Sequence, residues 1–510
     1  MSNDVILVGV DGATYDLLDD WVASGVLPNF AAIAESGVSH TLESVVPTQS
    51  VPAWPSFNSG KNPAKHGLFA FNEDVKGDGD VLVDSRRLHS PRFWDYLADD
   101  GMAPGVVGSV LTYPPRHLAH GFEIAGPLTP SDATEFTAPS SLGEELRAEV
   151  PDYSFGPDLG GSREDIQRAC IDSVDHRATA SKHLMTEKEW DFYSVLFIAT
   201  DRVQHKLWDT PEMIRPVYER VDEFLGWVRA EFPDANLLVV SDHGFTAPPE
   251  RDFFLDTWLA ERGDDDAGAG ASRKYALAKR VYSTVRQSTG INLRGVLPAA
   301  VESWLTDSGD GGGDEPSIRA ASNTHFDGVF VSDARDDYEQ VREELIEDLL
   351  ALRHPQTGDP VVSEAWKREE RYSGEYLHLV PDVVVLPHPN YNVNANPYTD
   401  TFGQFPGMEN EGTHDAAPDG ILLGAGPDIA ATDERGRVSL LDVPPTILHL
   451  LGSAVPEDVD GTVLTDALAG GPADRSVEYR EPLAYTPESD EGDLDERNDV
   501  EDRLEDLGYL

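Results

Sequence analysis

Three apolar strands in this 510-residue chain each run into an acidic residue, and such a pattern commits the chain to a sheet whose strand ends gather those acids. The strands are VILVGV ending at Asp11, SVLFIAT ending at Asp201 and NLLVVS ending at Asp242. His205 follows Asp201 by four residues, and His243 follows Asp242 directly. In an α/β sheet, ligands bind outside the carboxyl ends of the strands, so acids far apart in sequence can meet at one edge. Acids and imidazoles gathered there point to a metal site.

Between residues 1 and about 245 strand and helix alternate. The pattern predicts strands over Val5–Val10, Gly105–Val110, Val195–Ala199 and Leu237–Ser241. It predicts helices near Pro28–Glu35, Pro91–Asp99, Arg163–Met185 and Pro211–Phe232. Alternation of this kind implies an α/β fold, a largely parallel central sheet with helices on both faces. From Ala247 to Thr324 the register changes, with helical stretches such as Tyr275–Gln287 broken by the loop compositions GDDDAGAGAS and DSGDGGGDEP. This segment reads as a mainly helical cap inserted into the core. Residues 1–246 and 325–470 are then the catalytic core, 247–324 the inserted cap, and 471–510 an acidic tail. Val500, Leu504 and Leu507 make an apolar stripe for a short docking helix, with residues 470–495 left loose. LDVPPTILHLLG has helical spacing and stops on Gly452.

The formal charge is -54, from 93 acids against 39 basic residues, of which nine are Lys. Acid spread along the whole chain with scarce Lys gives a surface whose self-repulsion needs concentrated counter-ions, which suggests a salt-adapted protein. The same field repels phosphate backbones, so polymeric nucleic acid is not an expected partner. Cys170 is the only cysteine, which leaves no intrachain disulfide and no thiolate zinc cage. The opening MSND runs straight into the first strand, with no signal-like or membrane-spanning apolar segment, so the expectation is a cytoplasmic protein with no membrane partner.

Asp201 and His205, in TDRVQH, are four apart and can share one face of a turn or helix. In SDHGF the glycine permits a tight turn that aims Asp242 and His243 inward. His414 lies in the polar loop EGTHDAAPDG before the strand GILLG, and Asp11 lies in VDGAT. Taken singly, an acid at a strand end forms a turn or caps a helix, and a loop histidine is commonly solvated. Ser50 by itself could be a helix N-cap.

Taken together, Asp11, Ser50, Asp201, His205, Asp242, His243 and His414 in this order resemble the alkaline phosphatase superfamily, specifically its type I phosphodiesterase and nucleotide pyrophosphatase family. The motifs that carry the resemblance are VGVDGAT, PTQSVPAWPSFNSGKNPAKHG, TDRVQH, SDHGF, GTH and DVPPTILHLLGSAVPEDVDG. They span nearly the whole chain outside the cap and tail. The resemblance implies an alkaline phosphatase-like fold with two divalent ions, zinc first, with manganese or iron as alternatives. Asp201, His205 and His414 would hold one ion, and Asp11, Asp242 and His243 the other. Ser50 would reach toward the second ion as nucleophile, in preference to Thr48, because a proline follows the family's nucleophile by two. Asn72 falls near, though offset by one from, the family's phosphoryl-binding asparagine.

The chemistry so implied is hydrolysis of a small phosphodiester, pyrophosphate or nucleotide-like substrate. Metal activates the serine hydroxyl, the amides opening the helix after Ser50 face the phosphoryl group, and a phosphoseryl intermediate is hydrolysed by water. The family most often carries threonine where Ser50 stands, which leaves diester or monoester preference open. Phosphomonoesterase, phosphonate hydrolase and phosphomutase are the enzymatic alternatives, and an inactive metal-binding interaction protein is the non-enzymatic one. Trp54 stands where a sulfatase motif needs arginine. Trp54, Phe69, Phe71 and Phe245 are read as core packing or as walls of a leaving-group pocket.

Overall fold

The structure, a computed structural model, describes residues 4–74, 80–263, 317–321, 326–395, 400–405, 411–432 and 434–485. They divide into two compact units, residues 1–248 with 372–377 and 408–510, and residues 249–371 with 378–407.

The first unit is built on a nine-stranded sheet. Across it the strands run Gly436–Ser439, Val38–Glu43, Asp419–Ala425, Asn236–Val240, Val5–Val10, Phe192–Phe197, Pro104–Val107, Phe122–Ile124 and Thr137–Ala138. Val5–Val10 is parallel to both neighbours, and parallel pairing continues through Phe122–Ile124. Asp419–Ala425 and Thr137–Ala138 run against their neighbours.

The central strands are buried on both faces, which is why they read as continuous apolar runs. Ile6, Val8, Val10, Val195 and Phe197 pack toward one core with Val174, Leu184, Val217, Val221 and Phe224 of the helices Arg163–Glu187 and Pro211–Glu231. Val5, Leu7, Leu196 and Val240 pack toward the other, against Trp54, Phe57, Phe93 and Ile447. Each such side chain contributes about 1.5–3 kcal/mol when fully buried. Gly452, at φ +81°, ends the helix Val443–Leu451 where the sequence placed the stop. The strand Phe192–Phe197 ends two residues before its expected limit. Ala199 already belongs to the helix Ala199–Leu207, because Thr200 Oγ1 donates to the carbonyls of Asp11 (2.7 Å) and Phe197 (3.0 Å) and turns the chain at once.

The second unit is larger than the expected cap. Gly328–Val331 and Val383–Pro387, within the stretch 325–470 expected to belong to the core, pair antiparallel with each other. With Ile318–Ala320 and Val362–Lys367 they form a separate four-stranded sheet. Phe253, Leu255, Leu345, Leu349, Val383 and Tyr391 give this unit its own core. A second sheet joins Tyr391–Asn394, Arg251–Phe254 and Phe402–Gln404. The expected helical cap, Tyr275–Gln287 included, lies mostly outside the described residues.

Residues 470–485, expected to be loose, are tied down in the first unit. Tyr479–Arg480 pairs with Val455–Pro456, and Arg480 bridges Asp99 (2.6 Å) and Asp100 (3.0 Å). The expected docking helix around Val500, Leu504 and Leu507 lies outside the described residues. Among the described residues, no helix is long and apolar enough to cross a membrane.

Candidate metal centre

Sheet register gathers the ligands. Val10 is level with Phe197 and Gly9 with Val240, so Asp11, the helix carrying Asp201 and the turn carrying Asp242 all leave the sheet at one edge. Asp419–Ala425 is antiparallel to Asn236–Val240, so it begins at that same edge, with His414 just ahead of it. The first turn is compact. Gly12 has φ +65°, and a Cβ there would lie 3.2 Å from Asp201 Oδ1 and 3.1 Å from Phe245 Cδ2. Gly12 N–H donates to Asp242 Oδ1 (3.3 Å), and Gln204 Nε2 donates to the Gly12 carbonyl (2.9 Å).

Asp201 and His205 occupy one face of the helix Ala199–Leu207, with His205 Nε2 3.5 Å from Asp201 Oδ1. The His414 ring lies 4.9 Å from that of His205 and 4.2 Å from that of His243. Each of Asp201, His205 and His414 offers a ligand atom within 4.8 Å of the others, and so does each of Asp11, Asp201 and His243. Asp201 is therefore common to both groups, whereas the sequence reading gave it to one ion alone. Asp242 lies beside the second group, its Oδ2 3.2 Å from His243 Nε2.

Ser50 is the first residue of the helix Ser50–Ser59. Gln49 holds the cap position, and the Ser50 hydroxyl instead donates to Asp11 Oδ1 at 3.3 Å, 3.5 Å from His243 Nε2. Thr48 is engaged elsewhere, donating to the carbonyls of His414 (2.7 Å) and Asp415 (2.8 Å), and so holds the loop that delivers His414. Asn72 begins the short strand Asn72–Asp74, paired with Asp80–Leu82, and its side chain lies outside what the structure describes.

Asp11, Asp201, Asp242 and His243 are fully buried, and His414 nearly so. Among the described residues, both carboxylate oxygens of Asp201, Oδ2 of Asp242 and both ring nitrogens of His414 make no hydrogen bond. Buried polar atoms left in that state cost about 1–3 kcal/mol each, and a coordinated cation removes the cost. Burial, then the charges of Asp242 and Asp201, raise the Asp11 carboxyl well above its ordinary range, while the Trp54 hydrogen bond opposes the rise. Burial and Asp201 push Asp242 up to about 8. Burial holds His205 and His414 well below their usual value, in the neutral form that binds metals. A donor set of buried carboxylates and neutral imidazoles fits divalent ions that accept mixed nitrogen and oxygen ligands.

The aromatic residues near the motifs do more than fill space. The Phe245 ring stands nearly perpendicular to those of His205 and His414, with centroids 4.9 and 5.8 Å away, and packs tilted on Trp208 at 5.4 Å. Trp54 Nε1 donates to Asp11 Oδ2 at 2.8 Å. The i, i+4 spacing from Ser50 to Trp54 was the sequence signal for that contact. Phe69 and Phe71 are core residues as expected.

The chain matches the sequence profile of the type I phosphodiesterase / nucleotide pyrophosphatase family over residues 5–417. No curated protein matches it. Among solved structures, phosphonoacetate hydrolase from Sinorhizobium meliloti in complex with phosphonoacetate is similar at 17% identity and TM-score 0.57, covering 89% of this chain and 96% of that one. Human ectonucleotide pyrophosphatase / phosphodiesterase 5 is similar at 16% identity and TM-score 0.51, covering 92% of this chain and 100% of that one. The murine protein in complex with AMP gives the same identity, coverage and TM-score. At these identities the likeness establishes the fold. The profile match over most of the length goes further: this chain belongs to the type I phosphodiesterase / nucleotide pyrophosphatase family and is a phosphoric ester hydrolase.

Proposed function

We propose that the protein is a metal-dependent phosphohydrolase that cleaves phosphodiester, pyrophosphate or nucleotide-like small molecules through a phosphoseryl intermediate on Ser50. The observation that carries this reading is the approach of Ser50 Oγ to Asp11 Oδ1 (3.3 Å) and His243 Nε2 (3.5 Å), beside two groups of buried ligand atoms. Two divalent ions, zinc first, held by Asp201, His205 and His414 and by Asp11, Asp242 and His243, would supply the positive charge that favours the Ser50 alkoxide and neutralises the departing oxygen.

Ser50 Oγ loses its proton and bonds to phosphorus as the P–O bond to the leaving group breaks. The leaving oxygen takes up a proton as it departs. Water then attacks the same phosphorus, the Oγ–P bond breaks, and the serine is restored. The helix Ser50–Ser59 has its amino end at the nucleophile, so its dipole favours the negative charge that develops there.

Turnover of p-nitrophenyl mono- and diesters at molar salt, with zinc and manganese compared, tests the reading. Molar salt suits the acidic, Lys-poor composition of a salt-adapted cytoplasmic protein. Phosphonoacetate belongs in the panel as the substrate of the phosphonate-hydrolase alternative. Preferred cleavage of diesters, abolished in Ser50→Ala, is the expected result. Full activity of Ser50→Ala would remove the phosphoseryl step.

A further inference from the structure

One face of the helix Ser50–Ser59 delivers two groups to Asp11. Ser50 donates to Oδ1 at 3.3 Å, and Trp54, one helical turn on, donates its indole N–H to Oδ2 at 2.8 Å. An indole N–H is a donor only, so Oδ2 is committed as an acceptor. Oδ1 is left facing Ser50, 4.0 Å from His243 Nε2. The indole is 3% exposed, and its place is reserved by the sheet: a Cβ on Gly9 would lie 2.9 Å from Trp54 Cη2 and 2.7 Å from Leu196 Cδ1. Phe57 closes the other side, edge-on at 5.5 Å.

We propose that Trp54 is a positioning residue of the reaction, whose indole N–H divides the two oxygens of Asp11 so that Oδ2 is fixed to the protein and Oδ1 is presented to metal and to Ser50. The assignment rests on the phosphohydrolase reading above. It explains why a tryptophan that packs like a core residue stands four positions after the nucleophile. The helix, the first strand and Asp11 are fastened together by one bond, and the nucleophile rides on the same turn.

The test is zinc titration calorimetry on the full-length, metal-stripped protein at molar salt, with Trp54→Phe compared with wild type. Loss of an outer partner of a metal ligand costs on the order of 10–100-fold in affinity or activity. Trp54→Phe should therefore weaken one of two zinc sites about tenfold or more. On an Asp11→Ala background the same change should add less than about twofold to the loss, since Trp54 acts through Asp11. Phe57→Leu disturbs the same aromatic cluster without touching Asp11, and should lower the thermal midpoint while leaving zinc affinity unchanged.

Equal zinc affinity in a folded Trp54→Phe overturns the proposal, as does an equal loss in Phe57→Leu. Should Trp54→Phe not fold, a crystal structure of the zinc-loaded wild-type protein decides. Zinc on Oδ1 with the indole still bonded to Oδ2 supports the assignment, and zinc on Oδ2 with the indole bond broken refutes it. Failure of the phosphohydrolase reading is separate, since it would appear as undiminished turnover by Ser50→Ala.

Discussion

Phe245 offers a measurement that couples packing to the metal ligands. It is 1% exposed and touches three rings, those of His205, His414 and Trp208. The chain has shaped itself to this ring: a Cβ on Gly412 would lie 2.5 Å from Phe245 Cε1. Phe245→Ala removes the apolar surface and leaves a cavity that a wall of glycine backbone and sheet-anchored turns is poorly placed to fill, so about 3–5 kcal/mol of stability should be lost. Of this, each aromatic pair accounts for about 0.5–1.5 kcal/mol. Phe245→Leu keeps much of the volume, and its cost should fall to about 1–2 kcal/mol, between the isosteric and truncating cases. Because Phe245 walls two imidazoles, the zinc affinity of the group Asp201, His205 and His414 should also fall about tenfold in the alanine variant, the lower end of the range for lost outer support. Urea denaturation of the metal-free protein at molar salt gives the first number and calorimetric zinc titration the second. A loss under about 1 kcal/mol, or full stability loss with zinc affinity untouched, would refute this coupling.

Ser50→Ala should retain both metals and lose turnover, whereas His414→Ala should lose metal; elemental analysis beside a diester assay separates the two, and a swapped pattern would move the nucleophile elsewhere. Metal affinity should depend on pH. Asp242, pushed up to about 8 by burial and by Asp201, holds a proton below that pH which an ion must displace. Affinity should then rise at least about tenfold per pH unit from 6 towards 8, since an ion must displace the Asp242 proton and Asp11, raised as well, has a second to lose. Affinity flat over that range, measured by titration in matched buffers, contradicts the assignment of Asp242 as a ligand. Dialysis to about 10 mM salt, where the Debye length is about 30 Å, should unfold or inactivate a chain of charge -54; full activity there would sink the salt-adapted reading.

What could be read from sequence was whatever local periodicity controls. The apolar runs before Asp11, Asp201 and Asp242 announced buried parallel strands, and four-residue spacing placed Asp201 with His205 on one helical face. The position of Asp201 between both ligand groups could not be read, because it depends on how three strand ends converge. His414 reaches the centre only because Asp419–Ala425 runs against its neighbours, and strand direction leaves no mark on the residues of a strand. Val38–Glu43 escaped notice for a related reason: VSHTLE is only half-buried and carries a histidine, so it lacks the continuous apolar run of a central strand. Gly328–Val331 and Val383–Pro387 fall in the stretch 325–470 assigned to the core, but periodicity does not say which sheet a strand joins, and these two pair with each other.

The antiparallel strand also sets an order of events during synthesis. Val38–Glu43 connects to the rest of the large sheet through Asp419–Ala425, which separates it from Asn236–Val240. Roughly 380 residues must be translated between the two partners, about 20–75 seconds at about 5–20 residues per second. Through that interval the early strand lacks the partner that joins it to the sheet, and His414, just ahead of the late strand, has not been made. His414 arrives with that same late strand, so a chain cut short before it lacks one of the proposed metal ligands however complete its first strands are.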